Sequence, residues 1–131
     1  MVEMYPLSLV VALAILLYYF LVTARVGAAR GKYGVSAPAC EGPDEFNRIF
    51  RVQQNTMEQL VLFLPLMSLF AIIGGDLQAG VVGLLWLVGR VLYARAYVRD
   101  PATRGLGMWL TAIASAASFL GIIVYAVLRL F

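Results

Sequence analysis

Between Asp44 and Leu64 the chain reads DEFNRIFRVQQNTMEQLVLFL, and its polar residues are spaced for one helical face. Arg48, Arg51, Asn55 and Glu58 follow one another at intervals of three, four and three, so a helix projects all four in the same direction. Arg90, Tyr93 and Tyr97 repeat the pattern at three and four. Arg30, Gln53 and Arg104 lie at the same predicted level of the chain. Several cations with one carboxylate, amides and phenols suit a small polyanion that also carries an amine. Arg104 strengthens this expectation: a cation in the first turn of a helix is opposed by the helix dipole unless an anion is shared between them. The structural alternative is that these groups satisfy one another or touch lipid headgroups, for which Arg48 and Arg99 are suited. The seven-residue separation of Arg51 and Glu58 predicts that they do not pair directly along one helix.

The elements that must position these residues are membrane spans. Hydrophobic residues make up 63% of the 131 and charged ones 13%, against roughly 25% charged in an ordinary soluble domain. One integral membrane domain is expected, all-α, as an up-down bundle of four transmembrane helices over about 5–29, 44–73, 77–98 and 101–130. The uncharged run Met4 to Ala24 makes the first span, since 21 residues at about 1.5 Å each cover a hydrocarbon core of about 30 Å. A secretory leader is the competing reading, but Glu3 stands where a basic region belongs and the apolar run is too long. Arg25 to Pro43 carries three cations among glycines and prolines and reads as a basic loop. Asp44 is expected to cap the second helix, Pro65 to kink it, and Gly74-Gly75-Asp76 to turn it back as a hairpin. Leu77 to Gly89 is too short to span, so Arg90 must lie within the membrane-facing length of the third helix. Asp100-Pro101 reads as the cap and first turn of the fourth, along which Ala112, Ser115, Ala116, Ser118 and Gly121 offer small packing positions.

The inventory narrows the chemistry. With no histidine and a single cysteine, histidine metal sites, Ser-His-Asp triads and internal disulfides are excluded, no metal site is expected, and Cys40 reads as incidental. The net charge of +3 does not signal nucleic acid, because the basic residues are scattered over membrane edges. Nine of them, from Arg25 to Arg104, fall at one membrane face and only Arg129 near the other. The positive-inside rule then places loops one and three in the cytosol and both termini on the non-cytosolic side. A channel would need polar groups along whole helices, and between Gln59 and Arg90 there are only Ser68 and, at the turn, Asp76 and Gln78.

EFNRIFRVQQNTMEQ, GRVLYARAY and the following Arg104 resemble the MAPEG family, the membrane-associated proteins in eicosanoid and glutathione metabolism. That family includes microsomal glutathione transferases and the leukotriene-C and prostaglandin-E synthases, and the resemblance covers essentially the whole chain. It implies a trimer with glutathione sites between neighbouring subunits, and glutathione as co-substrate for conjugation to, or peroxide reduction of, a lipophilic substrate. By motif match, Arg51, Asn55, Glu58 and Tyr93 would hold the γ-glutamyl end, Arg30 and Gln53 the glycyl carboxylate, and Tyr97 would line the tripeptide. Arg90 belongs to the same polar set, and Arg104 would be the catalytic cation that stabilises the thiolate. Two departures stand out: Gln59 where eukaryotic synthases commonly have tyrosine, and Gly31 where the leukotriene synthase has a second arginine. The resemblance therefore implies a general conjugating or peroxide-reducing enzyme. A non-catalytic lipid-binding scaffold of the same fold is the alternative.

Overall fold

The computed structural model describes residues 4–131, so Glu3 lies outside the described residues. The described residues form four α-helices: α1 Pro6–Tyr33, α2 Asp44–Gly74, α3 Asp76–Arg99 and α4 Gly105–Leu130. Each is long and apolar enough to cross a membrane. Large apolar side chains face outward on all four, among them Phe20, Val61, Val88 and Leu128. These are the surfaces an integral multi-pass protein turns to lipid.

α1 begins with Pro6 at its first turn, where the missing N–H costs nothing. It does not stop before Arg25 or at residue 29. It continues to Tyr33, so Arg25, Arg30 and Lys32 are helical and not part of a loop. Gly27 and Gly31 each cost a helix only about 1 kcal/mol, and Val26 and Ala29 gain burial with Val35 and Phe46 in return. Gly34, at φ 67°, ends the helix in the left-handed conformation that glycine adopts readily.

The start of α2 also differs from expectation. Asp44 is the first helical residue and makes no capping bond. Instead Asn47 folds back on Gly42, its Oδ1 accepting from the Gly42 N–H at 2.9 Å and its Nδ2 donating to the Gly42 carbonyl at 2.8 Å. The helix is uninterrupted through Pro65 to Gly74. Gly75 alone links it to α3, at φ 110°, which makes the expected antiparallel hairpin.

Between α3 and α4 lies a 3-10 turn, Pro101–Thr103, and it is this turn that Asp100 caps, accepting from the Ala102 N–H at 3.0 Å. α4 starts only at Gly105, four residues later than the Asp-Pro pair suggests.

Cross-links between helices establish the up-down order. At one end, the Asp76 carboxylate accepts from the Leu7 and Ser8 N–H groups at 2.9 and 2.8 Å, and Arg129 reaches the Ile73 carbonyl at 3.5 Å. At the other, Arg48 donates to the carbonyls of Val98 and Arg99 at 3.4 and 3.1 Å, so it closes the end of α3 where headgroup contact was expected. The middle is filled by Phe63 stacked on Trp86 at 5.1 Å, with Ile15, Met67 and Ala114 around them.

α3 and α4 approach closely because Gly107 faces α3. A Cβ there would meet the backbone N of Tyr93. Of the small residues expected to pack α4, Ser115 and Ser118 are buried, whereas Ala112 and Ala116 are exposed.

Candidate functional site

The Gly107 contact sets α4 beside the last turns of α3, and the two helices with α2 enclose a cleft of about 290 Å³. α2 contributes Arg51, Asn55 and Gln59; α3 contributes Arg90, Tyr93 and Tyr97; α4 contributes Met108, Thr111 and Ala112, with Arg104 at its entrance. Arg51 and Asn55 of the first polar stripe, all of the second and Arg104 are thus brought together, whereas Arg48 is held at the end of α3.

Two stacked rings stand between two cations. The Arg90 guanidinium carbon lies 4.2 Å from the Tyr93 ring centroid, Tyr93 stacks on Tyr97 at 5.5 Å, and the Arg104 guanidinium carbon is 6.0 Å from Tyr97. Cation–π contacts hold the guanidinium groups in place without neutralising them. Arg104 is the residue before α4, not a member of its first turn, and Nη1 donates to the Pro101 carbonyl at 2.8 Å. Its guanidinium still stands at the positive end of the helix dipole, where an anion is favoured.

Arg51 and Glu58 do pair, contrary to expectation: Arg51 Nη1 donates to Glu58 Oε1 at 3.2 Å. Two turns separate their backbones by about 10.5 Å, but an extended arginine meeting a glutamate that leans toward the helix start closes the gap. Asn55 Nδ2 approaches the other carboxylate oxygen at 3.5 Å. With side chains 45% and 51% exposed, such a pair contributes only about 0.2–1 kcal/mol, so an incoming ligand displaces it at small cost.

Arg30 and Gln53 are not in the cleft. Gln53 is two residues beyond Arg51 and so points about 200° away around α2, donating to the Tyr19 hydroxyl at 2.9 Å. Arg30 donates to the Ala39 carbonyl at 2.7 Å and lies over the Phe46 and Phe50 rings at 5.5 and 5.7 Å. Both belong to the α1–α2 face.

Other residues of the site escape the polar pattern. Thr56, fully buried, accepts from Arg90 Nη2 at 2.9 Å and donates to the Val52 carbonyl at 2.7 Å. A threonine between Asn55 and Met57 carries no signal of this role. Met108 and Thr111 could have been found, since they follow Arg104 at intervals of four and three on one helical face. Buried Arg90 Nε and Trp86 Nε1 have no hydrogen-bond partner among the described residues. An arginine buried in this way, with no carboxylate bonded to it, calls for an anion in the space it lines.

Comparison with known proteins agrees with the fold and the motifs. An uncharacterized protein of Synechocystis sp. is 46% identical over 108 residues, covering 82% of this chain and 78% of its own length. The microsomal glutathione S-transferase 2 of Mus musculus is 36% identical over 87 residues, 66% of this chain and 59% of the transferase. The leukotriene C4 synthase of Bos taurus is 34% identical over 102 residues, 78% of this chain and 67% of the synthase. The match to the mouse transferase spans less than two thirds of that protein. Residues 8–125 match the MAPEG family over nearly the whole chain, and the protein belongs to that family.

Proposed function

We propose that the protein is a membrane-embedded glutathione transferase that activates the glutathione thiol for transfer to a lipophilic electrophile, or for reduction of a lipophilic peroxide. The observation that carries this reading is the charge imbalance of the cleft: Arg51, Arg90 and Arg104 line it, no carboxylate is among its lining residues, and Glu58 stands beside it, paired with Arg51. Glutathione has the complementary set, two carboxylates, one ammonium and a thiol that ionises. On this reading Arg51 and Asn55 take the γ-glutamyl carboxylate, Glu58 its ammonium, and Tyr93 and Tyr97 flank the peptide. Arg30 and Gln53, on the α1–α2 face, serve the glycyl carboxylate of a neighbouring copy in a homotrimer.

The thiol proton leaves to water, the thiolate attacks the electrophilic carbon, and the leaving group departs with its bonding electrons as the S–C bond forms. Arg104 holds the thiolate. Lowering a thiol pKa from about 8.5 to about 6.5 requires roughly 2.7 kcal/mol, and a cation at about 4 Å gives on the order of 4 kcal/mol at an effective dielectric of 20. One arginine suffices. The lipophilic partner enters from the bilayer, and the basic end of the bundle, with loops one and three, faces the cytosol. Labelling of a Lys32→Cys variant from the outside would overturn that orientation.

Titration calorimetry of the detergent-purified protein with glutathione tests the reading: binding is expected, and its absence removes the transferase. The second reading, a lipid-binding scaffold, draws on the Arg51–Glu58 pair, which satisfies two of the charges within the chain. Absence of binding leaves that reading standing.

A further inference from the structure

A second cavity, of about 320 Å³, opens between α1 and α3 with α2 as its floor, and it shares no lining residue with the cleft. Its lining is apolar apart from Tyr18 and two arginines. Leu21 and Val22 from α1 and Val91 and Ala94 from α3 make an apolar trough, Arg25 stands one turn beyond Leu21, and Arg95 stands one turn beyond Val91. Both arginines are exposed, and neither makes a hydrogen bond or ion pair among the described residues, where Arg51–Glu58 is the one ion pair. A smaller adjoining cavity of about 220 Å³ shares Arg25 and Ile49 and extends the groove to Lys32.

The height of the two arginines matters. Arg25 ends the uncharged run of α1, which is long enough to cross the hydrocarbon, so its guanidinium lies where lipid phosphates lie. Two unpaired cations at phosphate level above an apolar trough complement an amphiphile that is anionic at one end.

We propose that this α1–α3 groove binds an anionic glycerophospholipid, with the phosphate between Arg25 and Arg95 and an acyl chain against Leu21, Val22, Val91 and Ala94. Charge complementarity selects this occupant: a free phosphate leaves the trough unused, a zwitterionic lipid brings its own cation, and a second copy of this chain would have to offer acidic groups. The site rests on the membrane placement alone and stands whether or not the cleft binds glutathione.

Native mass spectrometry of the detergent-purified protein with added dioleoyl phosphatidylglycerol tests it, with phosphatidylcholine and inorganic phosphate as separate arms. Phosphatidylglycerol is expected to be retained at one per chain, and neither of the others. The double variant Arg25→Gln, Arg95→Gln should lose about thirtyfold in affinity, each single variant an intermediate amount, and Arg99→Gln, one turn beyond Arg95 and outside the groove, little. A circular dichroism melt without lipid checks that the double variant folds; if it does not, the single variants carry the comparison. Equal retention of phosphatidylcholine, equal binding of inorganic phosphate, an equal loss in Arg99→Gln, or undiminished phosphatidylglycerol binding in the folded variants each overturns the site. So does a change of oligomeric state in the variants with lipid binding unchanged, which would assign the groove to a second copy.

Discussion

Arg90 and Thr56 are joined by a 2.9 Å hydrogen bond in the interior of the bundle. The hydroxyl that accepts from Arg90 Nη2 is oriented by its own donation to the Val52 carbonyl, so the acceptor lone pair is aimed before the guanidinium arrives. This one contact ties α2 to α3 at the level of the cleft and gives a buried cation its only side-chain acceptor among the described residues.

Thr56→Val keeps the shape and removes the acceptor. It is expected to destabilise the protein by about 1.5–3 kcal/mol, the range for a hydrogen bond to a charged group, whereas Thr56→Ser retains most of that stability. Thermal unfolding in detergent reads the difference, and a valine variant as stable as the parent would show that Arg90 is held by Tyr93 alone.

Gly107→Ala tests the approach of α3 and α4. The added Cβ meets the Tyr93 backbone, which cannot turn aside, so the helices separate and the protein loses about 1–3 kcal/mol. Gly105→Ala is the control, because nothing lies within 4 Å of a Cβ there; it should be neutral or stabilising by up to about 1 kcal/mol, as alanine replaces glycine in a helix. Equal effects of the two in a stability assay would remove close packing as the cause.

Glu58→Gln removes the carboxylate that faces Arg51 and, on the proposed function, the glutathione ammonium. Because the Arg51–Glu58 pair is exposed, the fold should be little affected, while glutathione affinity falls by roughly 1.5–3 kcal/mol. Calorimetry and a melting curve separate the two effects. Collapse of stability with normal affinity in the surviving protein would make Glu58 a bundle residue.

Arg104→Ala should retain most glutathione affinity, since the carboxylates and the amine are held elsewhere, and lose most turnover with a chloronitrobenzene. The sign of the pH effect follows from charge: without the guanidinium the thiolate is less favoured, so the bound thiol titrates at higher pH. Thiolate absorbance followed against pH reads this directly, and an unchanged titration removes Arg104 from the mechanism. Arg104→Lys keeps a charge and loses the planar fork, so partial activity would assign the effect to charge.

Helical periodicity and the length of the uncharged runs depend only on neighbours in the chain. The sequence therefore sufficed for the four spans, for the hairpin at Gly74 to Asp76, and for the shared face of Arg51, Asn55 and Glu58. The gathering of nearly all cations at one end was equally legible. Three features were not, because they depend on which helices become neighbours and how far a side chain reaches. Asp76 serves the start of α1 and not its own helix; Arg48 closes the end of α3 across the bundle; and Thr56 meets Arg90 only once α2 and α3 are packed. Arg51 and Glu58 show the same limit within one helix, since spacing gives the distance between backbones but not the span of an extended guanidinium. Arg30, expected at the level of the cleft, turns to the loop that follows its own helix and to the start of α2, because the Ala39 carbonyl and the Phe46 and Phe50 rings offer it partners that residue spacing cannot reveal.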